Sequence, residues 1–290
     1  MEKKSRRHPD WLKISIPGGQ EFQKIKKQLR NSHLHTICEE AKCPNLSECF
    51  QKGTATFLIL GDICTRNCRY CNVKNGIPGT LNPDEVSEVA ESVQKLGLSH
   101  VVITSVTRDD LKDGGASIFV DAINAIKEKK STCSIEVLIP DFKGNQQSLQ
   151  MVLSAKPDVL NHNIEVVKEL FQSVRPEGNY KQSIDVLKQS KRYNSEMITK
   201  SGFMVGLGES KDQIYQLLQD LRQADVNILT IGQYLQPTKK HVPIKKYYTP
   251  QEFNELSILA KNMGFSHIES GPLVRSSYNA ENALKQVRNI

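Results

Sequence analysis

Strand-length apolar runs alternate with helix-length amphipathic segments along most of this chain, and this alternation constrains its fold more than any other feature. The pattern is typical of a parallel sheet covered by the helices that connect its strands. Six strand–helix units fit between residues 55 and 265, which is too few for a closed eight-stranded barrel. The sequence therefore predicts an α/β fold with a partial (β/α)6 barrel of the TIM type. The predicted strands are 56–60, 100–105, 134–139, 158–161, 197–205 and 226–231.

Segments on both sides of this repeat fall outside the predicted barrel. We divide the chain into an N-terminal extension (residues 1–52), the partial barrel (residues 53–265) and a C-terminal segment (residues 266–290). No apolar run approaches the ~20 residues needed to cross a bilayer, and the N-terminus has no apolar stretch of signal-peptide length. We therefore expect a cytoplasmic protein with no membrane partner. The excess of 39 Lys and Arg over 32 Asp and Glu favours acidic partners.

Three cysteines directly follow the first predicted strand, in the segment CTRNCRYC: Cys64, Cys68 and Cys71. In a β/α barrel the loops at the C-terminal ends of the strands form the active site. Three thiolates on one such loop can ligate three irons of a four-iron cluster and leave the fourth iron open to a small molecule. The alternative is a structural zinc site, but closed zinc sites need four ligands and the nearest histidines lie well away from this loop in sequence. The spacing therefore favours a [4Fe–4S] cluster that acts on a bound ligand.

A second triad lies in the N-terminal extension, in CEEAKCPNLSEC: Cys38, Cys43 and Cys49. The main hypothesis is a second iron–sulfur cluster. Three alternatives stay open on spacing alone, namely a zinc site completed by His33 or His35, a disulfide with one spare thiol, and three unconnected thiols. The seventh cysteine of the chain stands alone and is expected to be an ordinary core or surface residue.

The first triad, with spacings of three and two residues and an aromatic residue before its last cysteine, resembles the signature of the radical S-adenosylmethionine (SAM) superfamily. Both triads together resemble the lipoyl synthase family within that superfamily. The resemblance extends to segments further along the chain: TSVTRDDLKDGGA, EVLIPDF, NHNIEVV, TKSGFMVGLGE, TIGQYLQPTKKHVP and SGPLVRSSYNA. It covers nearly the whole chain, from about residue 9 to residue 283. It implies a radical SAM core whose N-terminal and C-terminal extensions hold an auxiliary [4Fe–4S] cluster.

The resemblance also implies a reaction. In that family SAM binds the open iron of the first cluster, and its cleavage provides a radical that abstracts hydrogen from unactivated carbon. The implied activity is that of a sulfurtransferase, which inserts two sulfur atoms at C6 and C8 of an octanoyl chain amide-linked to a lysine. The auxiliary cluster is dismantled as the sulfur source. Octanoyl carbons have no acidifying neighbour, so general acid–base catalysis cannot activate them and a radical route is required.

The resemblance implies a seventh metal ligand in the segment Arg275-Ser276-Ser277-Tyr278. We assign it to Ser276, with Ser277 as the alternative; on its own, RSSY would be an ordinary polar turn. A hydroxyl oxygen is a poorer ligand for iron than a thiolate, so this corner of the auxiliary cluster would be the easiest to release. No catalytic residue is assigned beyond the cluster ligands.

Candidate SAM contacts lie at the ends of the predicted strands. Polar residues there suit the methionine and ribose groups of SAM, an arginine suits its carboxylate, and a glycine pattern on the fifth strand resembles one that lines the adenine site. For each residue the alternative is a helix cap, a packing position or an ion pair. The candidates are Thr104, Ser105, Asn163, Glu165, Arg175, Gly206 and Glu209.

Partners follow from the same resemblance. It implies octanoylated lipoyl carrier domains (2-oxoacid dehydrogenase E2 subunits and the glycine cleavage H protein), a flavodoxin- or ferredoxin-type electron donor and an iron–sulfur carrier protein. The main basic run is too short for a nucleic-acid site and lacks a recognised module, so no nucleic acid is expected; our hypothesis is that it docks an acidic carrier domain. That run contains Lys239, Lys240, Lys245 and Lys246. Two rival functions are a radical SAM sulfur-inserting enzyme for a small free substrate, as biotin synthase is, and a zinc-binding interaction protein.

Overall fold

The structure, a computed structural model, describes residues 8–13, 19–31, 34–51 and 56–289. In these ranges the strands are β1 (His35–Thr36), β2 (Thr56–Ile59), β3 (Ile63–Cys64), β4 (Lys74–Asn75), β5 (His100–Ser105), β6 (Ser134–Leu138), β7 (Val159–Asn161), β8 (Ile198–Val205), β9 (Ile228–Gln233) and β10 (His267–Gly271). The α-helices are α1 (Gln20–Asn31), α2 (Ile37–Glu40), α3 (Leu46–Gln51), α4 (Glu85–Leu96), α5 (Ala116–Lys129), α6 (Gln146–Ser154), α7 (Lys168–Val174), α8 (Tyr180–Tyr193), α9 (Lys211–Gln223), α10 (Pro250–Asn262) and α11 (Ala280–Arg288). Two short 3-10 helices span Asp10–Leu12 and Phe142–Gly144.

The strands that matter for the site belong to one eight-stranded sheet, in the order β1-β2-β5-β6-β7-β8-β9-β10. Neighbouring strands from β2 to β10 are parallel, whereas β1 is antiparallel to β2. All six predicted strands are present, and the α/β prediction of a partial barrel is confirmed. The sheet also gains a seventh parallel strand, β10, that the sequence analysis did not predict. Its sequence, HIESG, lacks the apolar run by which the other strands were recognised.

The helices begin and end near the predicted positions because their capping residues are local signals. The helix α10 starts with a capping box between Thr249 and Glu252, with Pro250 in the first turn. The helix α4 ends at Gly97, whose left-handed φ of 70° suits glycine. The helix α4 begins at Glu85, directly after a turn at residues 83 and 84.

The two segments outside the predicted repeat each add a strand to the sheet, β1 and β10, and their helices pack on the barrel. Phe22, Ile25 and Leu29 of α1 are buried in the same apolar cluster as α4, α5 and the strands β2, β5 and β6. At the other end of the chain, Ser99 Oγ donates to Glu281 Oε1 (2.9 Å), which ties α11 to the N-terminal end of β5. The described helices include none that is both long and apolar enough to span a bilayer.

Candidate functional site

The first cysteine triad lies on the loop between β2 and α4, at the C-terminal edge of the sheet. The strands β3 and β4 pair within this loop and place Cys64 at its base. Two backbone amides donate to Cys64 Sγ, that of Thr107 at 3.3 Å and that of Arg66 at 3.4 Å. A turn brings Cys68 and Cys71 together, because the amide of Cys71 donates to the carbonyl of Cys68 (3.1 Å). Backbone bonds therefore fix this loop before any ligand binds.

Two of the three thiols have a raised pKa. Burial, together with the charges of Cys68 and Cys64, raises the pKa of Cys71 to about 12, although the hydrogen bond from the amide of Val73 acts in the opposite direction. Burial also raises the pKa of Cys68 to about 11, although the nearby Arg175 guanidinium lowers it. Converging thiols that disfavour one another's charge suit a site in which a metal replaces their protons. The donor set fits a cluster with three thiolate ligands.

Arg66, between the first two cysteines of the loop, ties the loop to the sheet. Its Nε and Nη2 donate to Asp109 (2.7 and 3.0 Å), and its Nη1 and Nη2 donate to Asp141 (3.0 and 2.7 Å). Asp109 follows β5 and Asp141 follows β6, so one buried guanidinium spans two strand ends. Burial acts to raise the pKa of Asp141, but the hydrogen bonds from Arg66 outweigh it and hold the pKa at about 2. This ion cluster is not among the predicted sites, although the sequence shows an arginine inside the cysteine loop and acidic residues after two consecutive strands.

Substitution of Arg66 tests whether this ion cluster holds the loop. We expect Arg66→Lys to destabilise the metal-free protein by about 1–3 kcal/mol, because lysine keeps the charge but loses the fork that bonds both carboxylates. Chemical denaturation measures the difference. The matched control is Arg69→Lys, an exposed arginine in the same loop that donates to the carbonyl of Ser173 (3.2 Å). Equal losses of stability in the two variants would contradict the assigned role.

The second triad lies on the N-terminal extension. Cys38 is on α2 and Cys49 is on α3, and the amide of Cys43 donates to the carbonyl of Cys38 (2.9 Å) in the turn between them. Burial, followed by the charge of Cys43, raises the pKa of Cys38 to about 12. Burial raises the pKa of Cys43 as well, while the Arg275 guanidinium lowers it. Like the first triad, this one has thiols whose pKa burial raises and an arginine whose charge lowers the pKa of one of them.

The structure bears on two of the alternatives for the second triad, the disulfide and the zinc site. All seven cysteines are unbridged in the structure, which gives the disulfide alternative no support. Of the two histidines considered as zinc ligands, His35 bonds Glu40 through Nδ1 (3.1 Å), and His33 lies outside the described residues. In the part of the chain that the structure describes, no three His, Cys, Asp or Glu side chains are arranged as ligands of one metal ion. Ligands of a four-iron cluster each bind a different iron and are therefore spaced more widely.

The C-terminal segment contacts both the N-terminal extension and the barrel mouth, which is the edge of the sheet formed by the C-terminal ends of its parallel strands. Asn45 Nδ2 donates to the carbonyl of Leu273 (2.6 Å), and Tyr278 OH donates to Glu48 Oε1 (3.1 Å). These bonds hold residues 273–278 against the turns that carry the second triad. The chain passes close to β9 here, because a Cβ atom at Gly232 would collide with the carbonyl oxygen of Val274.

Ser276 itself lies at the end of β7. Its hydroxyl donates to Asn163 Oδ1 (3.0 Å) and accepts from Asn161 Nδ2 (2.8 Å). Its neighbour Ser277 is half-buried. The structure thus places Ser276 between the barrel strands and the segment that carries the second triad.

Several candidate SAM contacts also gather at this mouth. Asn163 and Tyr70 hydrogen-bond the carboxyl group of Glu165, whose pKa burial raises and the Arg175 guanidinium lowers. Glu165 has a left-handed φ of 71°, a strained conformation for a side chain of this type. Arg175 is buried, and its Nη1 donates to the carbonyl of Asn163 (3.1 Å). These residues form one connected polar group beside the first triad.

Three buried polar atoms without a hydrogen-bond partner lie among the candidate SAM contacts. Among the described residues, Ser105 Oγ, Arg175 Nε and His162 Nε2 are buried without a hydrogen-bond partner. The other ring nitrogen of His162 bonds the carbonyl of Ile139 (2.8 Å), and burial lowers the pKa of His162 to about 4. Its Nε2 is therefore an acceptor at neutral pH. Buried donors and acceptors of this kind call for a polar partner, and the group of residues fits a ligand such as SAM.

Other candidates are committed to the protein's own structure. Thr104 Oγ1 donates to the carbonyl of Leu138 (3.0 Å). The Glu209 carboxylate accepts from the backbone amides of Gly206 (2.6 Å) and Leu207 (2.9 Å). Glu209 therefore shapes the turn after β8, and any contact that it makes with a ligand is additional to that role.

The open parallel sheet and the three-thiol loop at its C-terminal edge define a radical SAM protein. Residues 58–221, more than half of the chain, match the family model of the radical SAM superfamily, and residues 1–43 match that of the N-terminal domain of lipoyl synthase. The lipoyl synthase of Rubrobacter xylanophilus is 51% identical over 280 residues, which cover 97% of this chain and 87% of that protein. That of Caldicellulosiruptor bescii is 52% identical over 282 residues, which cover 97% of each chain. The chain belongs to the lipoyl synthase family.

Solved structures share the fold at low sequence identity. The hydrogenase maturase HydG of Carboxydothermus hydrogenoformans has a TM-score of 0.61 and 14% identity, over 92% of this chain and 68% of that one. SuiB of Streptococcus suis bound to S-adenosylmethionine has a TM-score of 0.57 and 14% identity, over 79% of this chain and 55% of that one. These two likenesses concern the fold alone. Family membership makes this chain an enzyme of lipoate synthesis with SAM and [4Fe–4S] clusters as its cofactors.

Proposed function

We propose that this enzyme is a sulfurtransferase, which inserts two sulfur atoms at C6 and C8 of an octanoyl chain amide-linked to a lysine of a lipoyl carrier domain. The observation that carries the proposal is that an arginine beside each cysteine triad acts on one shared carboxyl group, that of Glu165. Arg175 influences the pKa of Cys68 in the first triad, and Arg275 that of Cys43 in the second. Both arginines also act on the carboxyl group of Glu165. A radical source and a sulfur source must reach the same carbon chain, and this arrangement brings the two together.

The proposed ligands follow the two triads. Cys64, Cys68 and Cys71 hold the cluster that binds SAM, whereas Cys38, Cys43 and Cys49 together with Ser276 hold the auxiliary cluster, which is the sulfur donor. When bound, SAM and the first cluster supply hydrogen abstraction from unactivated carbon. The chain's own part is to fix the loop through Arg66, to bury the thiols and to exclude water from the mouth.

SAM is proposed to bind among the connected polar residues of the mouth. Arg175 Nε and Ser105 Oγ have unused hydrogen-bonding capacity there, which supports contacts with the carboxylate and amino groups of SAM. Thr104 lies beside Ser105 on β5, and Asn163 and Glu165 are available to ribose hydroxyls. Gly206 and Glu209 are proposed for the adenine side through the backbone turn that Glu209 holds.

The decisive experiment for this function is sulfur insertion on a defined peptide. Protein reconstituted anaerobically with iron and sulfide is mixed with SAM, a reductant and an octanoyl-lysine carrier peptide, and the peptide mass is followed. We expect a gain of two sulfur atoms, with no more than one modified peptide per chain because the sulfur source is consumed. Free octanoic acid is the control substrate. Modification of the free acid alone would favour the enzyme for a small substrate, and SAM cleavage without sulfur transfer would contradict the proposal.

The partners proposed for this enzyme are those expected from the sequence, and the cytoplasmic location belongs to the same proposal. Lipoyl carrier proteins are the substrates of this family in general. The E2 subunits of 2-oxoacid dehydrogenases, the glycine cleavage H protein, a flavodoxin- or ferredoxin-type donor and an iron–sulfur carrier protein are proposed as the specific partners.

The basic loop between β9 and α10 supports a docking site for the carrier beside the mouth. His241 Nε2 bonds the carbonyl of Cys71 (2.9 Å), and the amide of Val242 donates to the carbonyl of Arg69 (3.0 Å). The loop is therefore attached directly to the loop of the first triad. Its four lysines are exposed, although one of them pairs with Glu252 (2.6 Å). The four are Lys239, Lys240, Lys245 and Lys246.

Charge reversal tests this docking site. Changing the four lysines to Glu is expected to weaken carrier binding by about tenfold or more at low salt and to flatten its salt dependence, because the loop would repel an acidic partner. Binding is measured by titration at several salt concentrations. The control changes three exposed lysines near helix C-terminal ends, at the opposite end of the barrel: Lys129, Lys156 and Lys261. Unchanged affinity and salt dependence in the four-lysine variant would overturn the hypothesis.

A further inference from the structure

The barrel interior contains a buried ion pair on neighbouring strands. Lys200 of β8 and Glu136 of β6 are both fully buried, and Lys200 Nζ donates to both carboxylate oxygens of Glu136, at 2.9 and 3.0 Å. Between them on β7, Asn161 Nδ2 donates to Glu136 Oε1 (2.8 Å). The sheet register sets Asn161 directly beside Lys200. The three polar side chains thus form one network across three strands.

The same amide nitrogen of Asn161 bonds Ser276. An amide nitrogen carries two hydrogens, and in this structure one points to Glu136 and the other to Ser276 Oγ (2.8 Å). A buried ion pair is a weak source of stability, because the cost of removing both charges from water offsets their attraction. The pair holds the Glu136 carboxylate in place. The hydrogen bond that Glu136 accepts then orients the Asn161 amide, and with it the bond that Asn161 donates to the serine.

We propose that Asn161 is a positioning residue for Ser276, with the Glu136–Lys200 pair holding its amide in place. The inference rests on the proposed ligation of the auxiliary cluster by Ser276. A hydroxyl oxygen has two lone pairs, of which Asn161 occupies one and leaves the other for iron. Ser276 lies beyond the last strand, in residues 272–279, so its orientation comes from side-chain contacts rather than from the sheet.

The test follows iron loss from the auxiliary cluster alone. In the full chain, Cys64, Cys68 and Cys71 are changed to Ala so that bound iron reports only the second triad, and transfer of that iron to a ferrous chelator is timed anaerobically. Ser276→Ala sets the rate expected without the ligand. Asn161→Leu, which keeps the side-chain volume and leaves Lys200 paired, is expected to speed iron loss about fivefold. In a double variant with Ser276→Ala, the Asn161→Leu substitution should not increase the rate of iron loss beyond that of Ser276→Ala alone.

The control is an asparagine of the same barrel that does not contact the serine. Asn227 is half-buried at the opposite end of the strands, where its Oδ1 accepts from the amide of Thr199 (3.0 Å). Asn227→Leu should leave the rate of iron loss unchanged. Thermal unfolding of each metal-free variant checks that it folds, and Asn161→Ala replaces Asn161→Leu if the larger side chain prevents folding.

The possible outcomes distinguish a failure of the positioning role of Asn161 from a failure of the proposed ligand set. If Ser276→Ala leaves iron loss unchanged, the serine is not a ligand and the proposed ligand set fails. If Ser276→Ala accelerates the loss but Asn161→Leu does not, the ligand set stands and the positioning role is wrong. The positioning role is also wrong if the two substitutions act independently in the double variant, since Asn161 would then act through some other part of the structure.

Discussion

Protein reconstituted anaerobically is expected to hold about eight iron and about eight sulfide per chain, and about four of each when Cys38, Cys43 and Cys49 are all changed to Ala. The reason is that the two triads are separate sets of three thiols, one on the N-terminal extension and one on the β2–α4 loop. Iron, acid-labile sulfide and zinc are measured together. The complementary variant, without the thiols of the first triad, is expected to retain about four iron as well.

The two variants are expected to differ in activity even though they lose the same amount of iron. Without the auxiliary triad, SAM cleavage should continue while sulfur transfer falls below detection. Without the first triad, both should be lost. The remaining cysteine provides a matched control, because Cys133 is buried beside β6 and belongs to neither triad, so Cys133→Ala should keep about eight iron.

Either of two results would contradict this account. A native chain with about four iron, unchanged by loss of the second triad, would mean that the auxiliary cluster is absent and that sulfur insertion needs another source. Zinc in place of iron at both triads would remove the radical chemistry as well, and would favour the structural zinc sites considered from the sequence.

Much of the fold is readable from the sequence because its signals are local. Buried parallel strands appear as short apolar runs, and helix ends are marked by residues such as Thr249 and Gly97. The strand β10 escaped prediction because its residues, HIESG, include one large apolar side chain and are mostly half-buried. It is a strand because all five of its residues pair with β9, and such pairing cannot be inferred from composition.

In the site, too, features that depend on neighbouring residues could be predicted, whereas contacts between distant residues could not. Cysteines that are separated by only a few residues can be recognised from the sequence as one set of ligands, and in the structure each triad stays within one segment. The Glu136–Lys200 pair could not be predicted, because its partners are 64 residues apart and neither strand carries a local signal that its charged residue has a buried partner. Glu209 was a candidate for the adenine site on its pattern alone, whereas the structure shows its carboxylate bonded to the amides of its own turn.

The buried ion pair also predicts a large change in stability. Lys200→Met is expected to lower the free energy of unfolding by about 3–5 kcal/mol, because it leaves the Glu136 carboxylate buried without its cation. The nearest other basic group is His100, whose Nε2 lies 4.0 Å from Glu136. Burial and the Lys200 charge lower the pKa of this histidine while the lysine is present. Chemical denaturation of the metal-free protein measures the effect.

Removing both charges separates the cost of the unpaired carboxylate from the cost of altered packing. The double variant Glu136→Leu with Lys200→Met should recover most of the lost stability, because two apolar side chains of similar volume avoid the desolvation of both ions. Its free energy of unfolding should remain about 1 kcal/mol below that of the native protein, because the hydrogen bond that Glu136 accepts from Asn161 is lost. If the double variant were as unstable as Lys200→Met alone, the loss would come from packing around β8 rather than from a buried charge. The Asn161 amide would then have no charged anchor whose removal matters, which would also weaken the case that this network directs Ser276.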